Sequence, residues 1–341
     1  MNFFVKRTLC LLTVGLLASS LLTGCAGSKG AASDPYTVNG FYFNTVISIQ
    51  VYDSDKKEAA DACLALCSKY ENLFSRTIEG SDVSKINEAN GAPVTVSNET
   101  IDIIKEALEY SALTDGKFDI TIAPVTTLWN VDGDNPSVPD EASITDALSK
   151  VDYKAVQVDG NTVTLTKPGM AIDLGGIAKG YIADRLKESL TDAGVQSALI
   201  NLGGNVVTIG SRPDNSAFTI GIQKPFAEEG TALLSLKADD WSVVSSGPYE
   251  RYFEQDGKIY HHIMDTETGW PVENDLYGVT ILTKESAAGD ALSTGCYALG
   301  LEKGMELINS LPDTYAVFIT NDYQLHYSNG MEELFKPKKQ S

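Results

Sequence analysis

The stretch DLGGIAKGY, Asp173 to Tyr181, sets an acid, two consecutive glycines and a lysine within seven positions, between a strand-like run and a helix-like one. Glycines let a backbone approach a ligand closely, and Lys179 suits a phosphate. Asp173 would repel that phosphate unless a cation or a sugar-like hydroxyl stands between them. The glycine spacing matches neither a Walker loop nor a dinucleotide fingerprint. Taken alone, the stretch reads equally as a tight strand-to-helix turn carrying a solvated lysine.

A cation site is offered by AAGDALSTG. On a helix Asp290 and Thr294 lie four apart and share a face. Carboxylate and hydroxyl are hard oxygen donors of the kind magnesium prefers, with further positions left for carbonyls and phosphate oxygens. Ala287, Ala288, Gly289 and Gly295 leave room for another backbone. The competing reading is a satisfied polar pair, with Thr294 bonded to its own helix and Asp290 facing water. YHHIMDTETGWP holds two of the three histidines, the side chain best placed to exchange a proton near neutrality. Strand alternation sends His261 and His262 to opposite faces, so one at most faces a pocket. DGKFDITIAPVTTLWN places Phe118, Asp119 and Trp129 around a proline-containing turn. Its aromatics suit either stacking on a planar ring or packing in a core. SSGPYERYF and NLGGN add glycine-bearing turns after strands.

The elements that must position these residues alternate between two periods. FYFNTVISIQVYD reads as a strand, and KKEAADACLALCSKYENLFS as a helix. NETIDIIKEALEYSALTDG is a helix with Asn98 as its cap and Gly116 at its end. AVQVDGNTVTLTKPGMAIDL reads as a hairpin turning at Asp159-Gly160. AKGYIADRLKESLTDAG is helical, and QSALINLGGNVVTIG is a buried strand carrying Gly-Gly. Further strands follow at FTIGIQ, LLSLK, WSVVSSG, RYFEQDGKIYHHIMD and YGVTILT. Helical SAAGDALSTGCYALG and EKGMELINSL then precede the closing strands TYAVFIT and QLHYS. Strands joined by hairpins among interleaved helices predict a mixed α+β domain rather than a doubly wound parallel sheet.

The N-terminus reads as a leader. Lys6 and Arg7 precede the short apolar core TLCLLTVGLLASSLL, which ends in LLTGC. That ending resembles a bacterial lipobox, with cleavage before Cys25 and acylation of its thiol. Residues 1–24 are then a lipoprotein signal peptide, 25–35 a flexible tether, and 36–338 one domain without a linker-like break. The expected location is the extracytoplasmic face of the cell membrane, with membrane contact through the lipid anchor only. Removing Lys6 and Arg7 and no acid moves the formal net charge from -20 to -22. Such a surface is ill-suited to grip nucleic acid. Of the five cysteines, Cys63 and Cys67 share a helix face at a spacing awkward for a disulfide, and no zinc-type spacing is present.

Eight blocks in order resemble the FAD:protein FMN transferases, the ApbE-type flavin transferases. They are FNTVISI, FSRTIEGSDVSKIN, GKFDITIAPVTTLW, AIDLGGIAKGYIAD, ALINLGGN, VVSSGPYERYF, HHIMDTETGWP and GDALSTGCYALG. Together they span nearly the whole mature chain. The resemblance implies a magnesium-dependent, exported enzyme that moves FMN from its substrate FAD onto a threonine hydroxyl, in a short motif of a partner flavoprotein, and releases AMP. It implies FAD contacts at Phe43, Thr77, Lys117, Phe118, Asp119, Asp173, Lys179 and Ile263. It also implies a magnesium site from the Gly176 carbonyl, Asp290 and Thr294, and His262 as general base. Two positions depart from the family pattern. Phe43-Asn44 stands where many members have Met-Gly, and Thr77 where some have tyrosine, which leaves ring stacking at both places open. Two rivals stay open as well: FAD hydrolysis to FMN and AMP, and a non-catalytic lipid-anchored flavin-binding protein. The Asp290/Thr294 pair counts against simple binding, since capture of a ligand needs no metal pair.

Overall fold

Hairpins dictate the architecture, and there are more of them than the residue pattern announces. A computed structural model of the chain describes residues 34–340; the signal sequence, Cys25 and nearly all of the tether lie outside the described residues. FYFNTVISIQVYD is not one strand. It belongs to an antiparallel pair, Tyr36–Tyr42 and Thr45–Val51, joined at Phe43-Asn44. Both turn residues have positive φ (53° and 57°), as a two-residue type I′ turn requires. QSALINLGGNVVTIG likewise folds back at Gly203-Gly204 into Ala198–Leu202 and Asn205–Ile209. RYFEQDGKIYHHIMD turns at Asp256-Gly257 into Tyr252–Gln255 and Lys258–His261.

The central sheet has eight strands, and its spatial order is its chain order. After the two hairpins come Ser242–Ser246, Leu276–Thr283, Tyr315–Thr320 and Leu325–Tyr327, every neighbour antiparallel. Both faces are covered, so alternate residues enter different cores. Val279, Ile281, Ala316 and Phe318 face the long helix Ser286–Ser310, which is broken at Gly300 (φ 80°, ψ 177°) between the two helical runs expected there. Leu282, Val317 and Ile319 face a small sheet of Phe218–Gln223, Ala232–Ala238 and Lys338–Lys339. Among the described residues, helices and sheets share one compact unit, which is the α+β class expected.

Two local readings change. The helix Asn98–Leu113 is capped by Ser97, whose hydroxyl accepts from the Thr100 N–H, and Asn98 is already its first helical residue. The proline of DGKFDITIAPVTTLWN starts a short helix, Ala123–Trp129, rather than shaping a turn. Trp129 is fully buried against Trp270, Tyr260 and Phe253, with its indole N–H donating to the Gly269 carbonyl. It is a core residue. Cys63 and Cys67 are free and buried, and burial pushes both thiols up to about 12.

Candidate functional site

The loop Asp173–Ile177 feeds the helix Ala178–Asp192, and the first turn of that helix faces the first turn of Ser286–Ser310. Neither helix is capped by a side chain of its own N-cap residue, Ile177 or Glu285. Each is capped by an aspartate of the other. Asp290 accepts the Gly180 N–H at 2.9 Å through Oδ2. Asp184 accepts the N–H groups of Ser286 (2.7 Å) and Ala287 (2.9 Å) through its two oxygens. These N–H groups have no partner within their own helices, so the exchange satisfies both termini. Gly180 makes the approach possible: a Cβ there would lie 2.7 Å from Ala287 Cα and inside the Ser286 carbonyl.

Asp290 is 3 % exposed. Its Oδ1 meets the Lys179 ammonium only at 3.4 Å, while Lys179 also reaches the Gly175 carbonyl at 3.4 Å. One turn along, Thr294 is half-buried, with its hydroxyl 3.4 Å from Ser246 Oγ. Gly176 faces Phe118, whose ring edge would meet a Cβ at 3.0 Å. Among the described residues no group of three or more His, Cys, Asp or Glu side chains is placed to hold a metal. What is present instead is one buried carboxylate with an oxygen left over, a hydroxyl on the same face and a glycine-lined loop. That hard-donor set fits magnesium completed by substrate phosphates better than a cage built from protein alone.

Asp173 is turned away from Asp290 by its own bonds. Its Oδ1 accepts the Gly175 N–H at 2.8 Å, and its Oδ2 pairs with Arg76 Nε at 3.1 Å. Arg76 continues to Thr127 Oγ1 at 2.7 Å. Thr77 is exposed beside it, with its hydroxyl 3.1 Å from Ser75 Oγ. Lys117 pairs with Asp265 (3.4 Å) and Glu267 (3.2 Å) in the turn after the histidines. Asp119 is nearly buried, and its oxygens accept from Thr121 N, Thr121 Oγ1 and Tyr153 N. Burial raises its carboxyl despite these bonds. Ile263 lies in the core under the long helix, with both backbone groups bonded. Phe43 occupies the tip of the first hairpin, where its N–H donates to Glu71 Oε1 at 2.7 Å. The fold therefore assembles Phe118, Asp173, Gly176, Lys179, Asp290 and Thr294 around one loop, and Lys117 beside the histidine turn. Asp119 and Ile263 have their polar groups committed within the fold.

The two histidines separate by their partners. His261 is buried, with Nε2 3.0 Å from the Val272 carbonyl and Nδ1 accepting the Ile263 N–H at 3.2 Å. Both nitrogens are used, so His261 is structural. His262, just past the strand end, has Nδ1 3.2 Å from the Arg251 carbonyl. A carbonyl only accepts, so Nδ1 carries the proton and Nε2 keeps its lone pair. Protein surrounds the half-buried ring on most sides. Burial first, then the Arg251 charge, with Lys179 contributing, hold its pKa well below the ordinary 6.5. It is a neutral base at neutral pH.

Glu250 was not singled out by the sequence. Its side chain opens to solvent, but surrounding protein pushes its carboxyl up to about 7, while Lys179 and Arg251 pull it down and Asp290 pushes it up. Glu250 thus shares the electrostatic field of Lys179 and Asp290. Only the turn SSGPYERYF after a strand signalled it, with nothing to show which way the glutamate points.

The ApbE family model matches residues 43–319. An FAD:protein FMN transferase of Klebsiella pneumoniae is 39 % identical over 305 residues, 89 % of this chain and 94 % of that protein. The crystal structure of the ApbE protein of Thermotoga maritima superposes with a TM-score of 0.81 at 31 % identity, covering 88 % of this chain and 99 % of that one. The flavin transferase ApbE of Vibrio cholerae gives 0.79 at 26 % identity, with 88 % and 99 % covered.

Proposed function

The chain belongs to the ApbE family, and from that premise we propose that it is an FAD:protein FMN transferase acting on exported flavoproteins. The observation that carries this reading is a lysine at a glycine-lined loop beside a buried aspartate with one oxygen to spare. His262, with a free Nε2, adds a base whose ring feels the Lys179 charge.

The chemistry is a displacement at phosphorus. A threonine hydroxyl of the acceptor forms a bond to the FMN-side phosphorus of FAD, the pyrophosphate bridge breaks, and AMP leaves with the bridging oxygen. His262 Nε2 takes the hydroxyl proton; its depressed basicity keeps it unprotonated and available near neutrality. Lys179 holds the pyrophosphate, and Gly176, with no Cβ, leaves room for the Phe118 ring against the loop. Asp173 stays bonded to Arg76 and Gly175, which keeps its charge off the phosphates. Asp290 and Thr294, with the Gly176 carbonyl, would hold magnesium, which when bound supplies positive charge against the phosphoryl oxygens. Positioning and electrostatics together do most of this work. The lipobox at Leu21–Cys25 supports a lipid-anchored, extracytoplasmic location.

The test is incubation of the mature protein with FAD, magnesium and candidate exported flavoproteins, reading covalent flavin by in-gel fluorescence and AMP by chromatography. Covalent flavin with equimolar AMP is expected. AMP and FMN released at the same rate with or without an acceptor would identify a pyrophosphatase instead.

A further inference from the structure

We propose that Asp184 is a positioning residue of the metal site: by capping the long helix it sets where Asp290 stands against the Gly176 loop. The inference rests on Asp290 being a metal ligand, as read above. Asp184 is 7 % exposed and lies four residues after Gly180, just as Asp290 lies four residues after Ser286. The two helices therefore hold each other at two points one turn apart. At one point Asp184 takes the N–H groups of Ser286 and Ala287; at the other Asp290 takes the Gly180 N–H. Small residues at the contact, Gly180 and Ala287, leave no slack between the backbones.

This clamp does two things for Asp290. It occupies Oδ2, so only Oδ1 is turned toward Lys179 and the loop. It also fixes the axial register of the long helix, because N–H groups at its first turn end on a carboxylate of the loop's own helix. Asp184 and Gly176 sit on one continuous piece of chain, the loop and its helix. The distance from Gly176 to Asp290 is thus set through Asp184 directly, in addition to the packing of both helices on the sheet. Magnesium tolerates little error in that distance, since its ligands crowd at about 2.0–2.1 Å in near-octahedral order.

A purely structural carboxylate at another helix start offers the control. Asp82 is also nearly buried and supports the Ser97 cap of the helix Asn98–Leu113, accepting from Ser97 N and Thr100 Oγ1 at 2.9 Å each. Magnesium affinity is measured by calorimetric titration of FAD-saturated, inactive His262→Ala protein at a temperature where every variant is folded. In that background Asp184→Asn is expected to weaken magnesium binding about tenfold and Asp184→Glu about threefold, with metal-free FAD affinity within twofold of the parent. Asp82→Asn should lower the melting temperature and leave magnesium affinity unchanged. Magnesium affinity in Asp184→Asn equal to that of Asp82→Asn overturns the proposal. If the asparagine variant does not fold, hydrogen exchange on the unsubstituted chain decides. The Ser286 and Ala287 amides should gain protection on adding magnesium and FAD, while Ser97 and Thr100 do not; equal behaviour of the two pairs refutes it. Asp290→Asn separates the two readings. If that change leaves magnesium affinity intact, the ligand assignment fails; if it abolishes binding while Asp184→Asn has no effect, only the positioning role fails.

Discussion

Gly180→Ala puts one methyl between the two helices that carry the site. The added Cβ would lie 2.6 Å from the Ser286 carbonyl carbon and 2.7 Å from Ala287 Cα. Carbon atoms rest at about 3.5–4.0 Å, so the helices must part by about 1 Å. Backbone on the far side gives little. The Gly180 N–H to Asp290 bond, now 2.9 Å, would then stretch beyond hydrogen-bonding range. Two effects on stability oppose each other. Alanine favours a helix interior over glycine by about 1 kcal/mol, whereas overpacking costs about 1–3 kcal/mol. The expected sum is a loss of about 0–2 kcal/mol, or a melting temperature lower by up to roughly 4 °C for a chain of this size. Function should suffer more. A shift of about 1 Å in Asp290 relative to the Gly176 loop is large against magnesium's narrow ligand distances, so magnesium affinity should fall at least tenfold. Thermal melts with a magnesium titration in the presence of FAD measure both quantities. A Gly180→Ala protein that is more stable than its parent by about 1 kcal/mol, with unchanged magnesium affinity, would show that the helices are not in contact there.

Three further outcomes follow from the same geometry. His262→Ala should slow single-turnover FMN transfer about a hundred- to ten-thousand-fold with FAD and magnesium binding intact; in the parent, the acid limb of the rate should lie below pH 6.5, because burial and Arg251 depress the imidazole. A wild-type rate in the alanine variant would move the proton elsewhere. Glu106 is raised to about 7, first by burial and then by Glu285. Its folded value exceeds its unfolded one, so its contribution is fully present below the ordinary carboxylate range and is lost as pH rises through about 7. Denaturant melts of the parent should lose about 1–3 kcal/mol between pH 5 and 8 from this group, and Glu106→Gln should flatten that slope. Cys25→Ser should move the protein out of the membrane fraction with its signal uncut by the lipoprotein peptidase; normal processing and membrane retention would refute the lipobox.

Local chemistry was legible in the residues, and pairings between distant segments were not. Asp290 and Thr294 fall on one helix face because four residues nearly complete a turn. Gly175-Gly176 before a helix announced a close approach, and the structure adds that Phe118 is what approaches. The hairpin at Phe43-Asn44 was hidden because its turn uses a bulky residue at positive φ instead of Asn-Gly. Asp184 looked like one more acid on an amphipathic helix; its role depends on a second helix about 100 residues later. His261 and His262 differ only in what their ring nitrogens meet, and period alone cannot assign those partners.

The ion pairs around the cleft explain how so acidic a chain can take a polyanion, and they imply an order in its energetics. Lys179 is paired with Asp290, Arg76 with Asp173, and Lys117 with Asp265 and Glu267. A pyrophosphate reaching for Lys179 must compete with Asp290. A divalent cation on Asp290 removes that competition, since the carboxylate's charge is then taken up by the metal. Metal and FAD are therefore expected to reinforce each other, and linkage demands the same factor in both directions, typically about 5–150-fold. Four titrations on the His262→Ala protein measure it: FAD with and without magnesium, and magnesium with and without FAD. Lys179→Gln removes the pair being exchanged, so it should shrink the coupling as well as weaken FAD binding. A factor near one in the Lys179-containing protein, or a coupling that survives Lys179→Gln undiminished, would mean that the lysine is not released by the metal and that Asp173 and Asp290 are tolerated near the phosphates for some other reason.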